Sequence, residues 1–172
     1  MRKILSIVLI LISTLLLTAC DGTTNKTDLY KDFLNELKSS GEELFYSVHD
    51  IDSDGVDDLI IKENTKLTVY TFNDSVTKID EYDFVTGTAR FFYSTNKKYS
   101  GIFYFTVGGG ANHYGYMTVK DNKLHLENLW EEYYAEESPE KVKELSSNKE
   151  LIAESKSLYQ NNKDILFLDL KK

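Results

Sequence analysis

The spacing of apolar residues changes character along the chain, and each change marks a different kind of element. Ile4 to Leu16 is almost wholly apolar. Leu29, Tyr30, Phe33, Leu34 and Leu37 then recur on one helical face. From Glu43 to Tyr134 the pattern shortens to β-rich runs between turn residues, and after Tyr134 it turns helical. The spacing predicts a first helix over 28–39, with Thr27 as cap, Asp28 in the first turn and Ser39-Ser40-Gly41 as the stop. It predicts strands at 43–49, 58–63, 66–72, 76–84, 88–95, 101–107, 112–120 and 123–134. Turn residues lie between them at Asn73-Asp74-Ser75, Asn96-Lys97-Lys98 and Asp121-Asn122.

The turn at Asp121-Asn122 fixes a register. If Lys120 faces Lys123, then Thr118 faces His125 and Met117 faces Leu126. One face of the hairpin then holds Val119, Met117, His113, Leu124, Leu126 and Trp130, an apolar set. The other holds Thr118, Tyr116, Tyr114, His125, Glu127 and Leu129. Beyond it, Ser138-Pro139-Glu140 combines a cap, a proline at the first helical position and an acid in the first turn. Ser147-x-x-Glu150 is a capping box, followed by a helical face of Leu151, Ile152, Ser155, Leu158 and Tyr159. Asn161-Asn162 stops that helix, and Ile165-Leu166-Phe167-Leu168 reads as a terminal edge strand. The expected fold class is therefore α+β: an antiparallel β-meander sheet with an N-terminal helix and C-terminal helices packed on one side.

Composition narrows the setting. The chain has 172 residues, 20 basic and 28 acidic side chains and a net charge of −8. Residues 1–19 carry Arg2, Lys3 and no acid, so without them the balance is more negative still. Such a charge argues against nucleic acid or an anionic membrane surface as a partner. The apolar run after Met1-Arg2-Lys3 is shorter than the roughly 20 residues that span a bilayer and fits a secretory signal. It ends in Leu17-Thr18-Ala19-Cys20, which resembles the lipobox of bacterial lipoproteins. That resemblance implies signal cleavage after Ala19 and a diacylglycerol on Cys20, the chain's single cysteine. Two acyl chains anchor stably where one is marginal. The expected organisation is a signal peptide at 1–19, a lipidated cysteine and polar tether at 20–27, and one domain at 28–172, held on the extracytoplasmic face of the cell membrane.

One stretch carries metal chemistry. Asp50-Ile51-Asp52-Ser53-Asp54-Gly55-Val56-Asp57-Asp58 runs straight into the apolar Leu59-Ile60-Ile61. Asp50, Asp52 and Asp54 would repel one another in a tight turn unless a cation drew them together. Ca²⁺ takes about six to eight oxygen ligands, and Gly55 permits the bend that aims them inward. Counted as an EF-hand, the loop places Val56 at position 7 and Asp58 at position 9. It fails at position 12, where Ile61 replaces the bidentate acid, and its flanks are strands. The stretch from Tyr46 to Ile61 instead resembles the FG-GAP/VCBS calcium loops found in secreted proteins of Gram-positive bacteria. That resemblance covers roughly a tenth of the chain. It implies a structural Ca²⁺ held by Asp50, Asp52, Asp54 and Asp58, with Val56 offering its carbonyl. Such loops usually recur in propeller repeats, whereas this chain has one copy.

The remaining motifs carry less. Gly108-Gly109-Gly110 lacks the spacing of a phosphate loop and precedes a strand, so it reads as a turn. Its aromatic flank (Tyr104, Phe105, His113, Tyr114, Tyr116) offers either core pairs or a recognition surface. His49, His113 and His125 are scattered, and His113 and His125 fall on opposite faces. Glu131-Glu132 and Glu136-Glu137 read as solvated acids. The sequence therefore points to a calcium-binding surface lipoprotein that recognises an extracytoplasmic protein or glycan partner. A cell-surface hydrolase using the acidic site is the alternative.

Overall fold

A computed structural model describes residues 26–39, 43–84, 89–134, 141–161, 165 and 167–171. A 3₁₀ turn, Lys26–Tyr30, leads into helix α1 (Lys31–Ser39). The strands that follow are β1 (Phe45–His49), β2 (Asp58–Glu63), β3 (Lys66–Asn73) and β4 (Ser75–Asp83), then β5 (Ala89–Tyr93), β6 (Ile102–Gly108), β7 (Ala111–Lys120), β8 (Lys123–Tyr133) and β9 (Val142–Glu144). Helix α2 (Lys149–Gln160) and the two-residue β10 (Leu168–Asp169) complete the chain. The strands form two antiparallel sheets of five, ordered β10-β1-β2-β3-β4 and β5-β6-β7-β8-β9.

Alternation along each strand explains why there are two sheets. In β2 and β3, Ile60, Leu67 and Val69 point into the space between the sheets. Leu59 and Ile61 point the other way, onto Tyr30 and Leu34 of the N-terminal helical segment. In β6, Ile102 and Tyr104 face the inter-sheet core, while Phe103 and Phe105 face Leu151, Ile152 and Leu158 of α2. Strands apolar on both faces need cover on both faces. The result is a stack of helix, sheet, sheet and helix.

This corrects the expectation of one meander with helices on one side. A single sheet covered on one face would leave a second apolar face in water, whereas folding the strands into two sheets buries both inner faces against each other. The chain passes between sheets after β4, and α1 and α2 end up on opposite outer faces.

Smaller differences have local causes. The first turn of the N-terminal helix is 3₁₀, a common form at helix starts. The proposed helix start at Ser138-Pro139-Glu140 lies outside the described residues, but Val142–Glu144 just after it is a strand paired with Trp130–Glu132. The cap of α2 is Asn148, whose Oδ1 accepts the Leu151 N–H at 3.1 Å. Ser147 does not form the expected box, because Glu150 turns to Lys98. The register from Lys120↔Lys123 to Met117↔Leu126 is as the pattern predicts. It shifts at Tyr114/Gly115, so that Tyr114 pairs with Trp130 and Gly115 with Asn128. That bulge moves Trp130 off the Met117 face and stacks its ring on Tyr114 at 3.5 Å.

Candidate metal centre

The acidic loop is the connection between β1 and β2, whose register runs to His49↔Asp58. Its carboxylates first organise the backbone. Asp50 accepts the Ser53 N–H on Oδ1 (2.7 Å) and the Gly55 N–H on Oδ2 (3.1 Å). Asp52 accepts the Asp54 N–H at 3.1 Å, and Asp54 the Val56 N–H at 2.7 Å. Gly55 sits at φ +90°, where a side chain would be strained. A carboxylate oxygen has two lone pairs, so each of these bonds leaves room for a further interaction.

Three of the acids converge. Asp50, Asp52 and Asp58 each bring one oxygen to within 4.8 Å of the others. Asp54 stands outside that group. Asp58 differs from its neighbours in being only 1% exposed. Its Oδ2 accepts the Ile51 N–H at 3.1 Å, while its Oδ1 is buried with no hydrogen-bond partner among the described residues. Burial pushes the Asp58 carboxyl up to about 7, with the charges of Asp52 and Asp54 adding to the effect and the Ile51 N–H and the nearby Thr71 hydroxyl opposing it. Burial likewise raises Asp52, with Asp54 and Asp50 contributing. A buried oxygen without a partner is costly, and a divalent cation would offset the penalty on Asp52 and Asp58 together. The donor set is all oxygen and suits a hard cation.

The loop is also fastened on three sides, which sequence reasoning missed. Ile51 is fully buried in the inter-sheet core beside Ile60, Ile102 and Met117. The Ser100 hydroxyl, in the turn before β6, donates to the Ile51 carbonyl at 3.3 Å. The Tyr30 hydroxyl donates to the Asp57 carbonyl at 2.5 Å. An isoleucine amid five aspartates was the available signal, since an apolar residue in a solvated acidic turn has no reason to be there.

The other sequence candidates scatter. His49 stacks on Tyr93 with ring centres 3.8 Å apart. His113 is held at both nitrogens, Nδ1 lying 3.0 Å from Glu131 Oε1 and Nε2 2.9 Å from the Gly108 carbonyl oxygen. Glu131 and Glu132 leave β8 on opposite faces, the first bonded to His113 and Tyr133, the second to Asn112 and Tyr114. They do not form a pair, and Glu136 and Glu137 lie outside the described residues. The aromatic flank of the glycine turn is likewise divided. Tyr104 faces the inter-sheet core, and Phe105, Tyr114 and Tyr116 pack in the layer beneath α2. Cys20 and the leader lie outside the described residues. Comparison with protein-family models, with curated proteins and with solved structures found no match.

Proposed function

We propose that the chain is an extracytoplasmic lipoprotein, anchored through Cys20, whose loop 50–58 binds a structural Ca²⁺ and whose domain is a surface binding module. The observation that carries the calcium reading is the unpartnered Asp58 Oδ1, buried beside oxygens of Asp50 and Asp52. Asp50, Asp52 and Asp58 would hold the ion, with Asp54 and the Val56 carbonyl available as the loop closes on it. The ion's role is mechanical. It fixes a connection that is keyed into the inter-sheet core through Ile51 and latched to the N-terminal segment through Tyr30. The anchor rests on Leu17-Thr18-Ala19-Cys20, and mass spectrometry of the membrane fraction checks it: unmodified protein released to the medium overturns it.

Thermal unfolding in calcium and in chelator tests the ion. Extracellular sites of this kind bind with Kd of about 10⁻⁴–10⁻³ M. At ten times Kd, linkage adds about 1.4 kcal/mol, worth several degrees in a domain of this size. Magnesium should replace calcium poorly, because it dehydrates reluctantly and demands octahedral geometry. Asp52→Ala should remove most of the calcium response. Identical melting with calcium and with chelator would reduce the loop to a solvated turn.

A further inference from the structure

Where the two sheets part at the end away from the acidic loop, the inter-sheet core opens into a cavity of about 160 Å³. One wall is aromatic. Tyr82 and Phe84, from the end of β4, lie 4.9 Å apart ring to ring, and Phe84 lies 5.0 Å from Tyr104 of β6. Tyr104 reaches across β7 because Gly115 is there: a Cβ at that position would come within 2.1 Å of the tyrosine ring. The opposite wall is the polar cross-strand row Thr106, His113 and Glu131, with Asn128 beside it where β8 bulges.

The polar groups divide into those already engaged and those left over. Both nitrogens of His113 face acceptors, Gly108 and Glu131. Both oxygens of Glu131 are taken, one by His113 and one by the Tyr133 hydroxyl. Those two contacts, with the charge of Lys143, hold the Glu131 carboxyl below the usual carboxylate range. The charged wall is therefore internally satisfied. Asn128 accepts the Tyr104 hydroxyl on Oδ1 at 3.0 Å, which leaves its NH₂ group unpartnered among the described residues. Thr106 is only 7% exposed, and its hydroxyl has no partner among the described residues although it lines the cavity. The Tyr82 hydroxyl, on a side chain 41% exposed, is likewise uncommitted among the described residues. What remains is a hydroxyl, an amide and a phenol against an aromatic face. All are neutral.

We infer that this cavity binds a single neutral, polyhydroxylated ring, a saccharide residue, with its C–H face on Tyr82 and Phe84 and its hydroxyls on Thr106 and Asn128. An anion finds no free cation there, and an ammonium group finds the one carboxylate spent. Neutral hydroxyls supply the donors and acceptors the leftover groups lack. The volume, about five waters at roughly 30 Å³ each, suits one ring more than a chain. This deepens the binding-module reading and rests on it, but it does not depend on the calcium reading.

Thr106, Asn128 and Glu131 line the cavity, so their backbone amide shifts in an NMR titration report occupancy. Glucose, galactose and N-acetylglucosamine would be titrated separately into the full chain, with calcium, in a non-glycosidic detergent. At least one should give a saturable change with Kd on the order of 1 mM, the affinity expected for so small a ligand. Thr106→Val, Asn128→Ala and Tyr82→Ala should each weaken it at least about five-fold, the worth of one net hydrogen bond or ring contact. Melting of each variant in calcium verifies its fold, and the exposed Tyr82 and Asn128 serve where Thr106→Val is unstable. No saturable change with any of the three sugars at roughly 50 mM, or saturation by choline alone, overturns the inference. Affinity unchanged in all the variants overturns it too, by placing the sugar elsewhere. Melting the parent chain with and without chelator separates this result from that of the calcium site.

Discussion

Strand β6 joins two ends of the sandwich that are built on opposite principles. At its start, Ser100 and Ile102 meet the acidic loop, where Ile51 fills the core and Tyr30 and Ser100 tie down the backbone. At its far end, Thr106 opens onto a cavity that no side chain fills. The first end spends its polar groups on itself and is left short of one partner, at Asp58 Oδ1. The second keeps several neutral groups in reserve. A closed site short of a ligand atom reads as structural. An open one with spare groups reads as a place to bind something that comes and goes.

Substitutions at the loop end should therefore act on stability. Ile51→Ala should have the largest effect, about 2–5 kcal/mol in urea unfolding, because it opens a cavity in a fully buried site. A loss below about 1 kcal/mol would mean the loop is not the plug of the inter-sheet core. Asp58→Ala comes next. It leaves the buried Ile51 N–H without its acceptor and should cost about 1–3 kcal/mol, with a larger loss in calcium than in chelator. Equal losses in both would mean the carboxylate only holds the loop backbone. Tyr30→Phe should cost about 1 kcal/mol, since it removes one hydrogen bond and keeps the packing. Hydrogen exchange should rise in the N-terminal helix before it rises in the sheets; uniform loosening would argue against a local latch.

The smallest effect lies on the outer surface, where Glu144 receives the ammonium groups of Lys149 (2.6 Å) and Lys156 (2.9 Å). Those hydrogen bonds and charges hold its carboxyl down at about 2, from an ordinary 4.5. A depressed carboxylate contributes stability fully above its unfolded value and loses it as pH falls through the folded one. The contribution should thus be complete above about pH 4.5 and fade towards pH 2. Glu144→Gln should remove that contribution above about pH 4.5 and so flatten the fall in stability between there and pH 2, a small change because the pair is exposed and screened by solvent. A carboxyl resonance of Glu144 titrating near 4.5 would show that the two lysines do not hold it.

Most elements are legible in the residues themselves. Gly108-Gly109-Gly110 and Asp121-Asn122 mark tight turns, and alternation between them bounds β7 to within a residue. The acidic loop is legible because ligand spacing is local: Asp50, Asp52 and Asp58 lie within nine residues and belong to one connection. The Trp130 face is not legible, because a bulge at Tyr114/Gly115 shifts the period by one and nothing near Trp130 announces it. Nor is Val142–Glu144, whose sequence suits a helix and becomes a strand only because β8 has an open edge to pair with.

By itself, then, the sequence determined the local matters: where strands and turns fall, and that carboxylates gather between β1 and β2. Local backbone preference and ligand spacing need only a few consecutive residues, so one dimension holds them. The tertiary structure decided which face met which. It set two sheets against each other, sent α1 and α2 to opposite sides and put Ile51 in the core. It also brought Tyr82 and Phe84 of one sheet opposite Thr106 and Asn128 of the other. Those juxtapositions join residues tens of positions apart, and what selects them is the burial of apolar area over the whole chain, a sum that no single stretch contains.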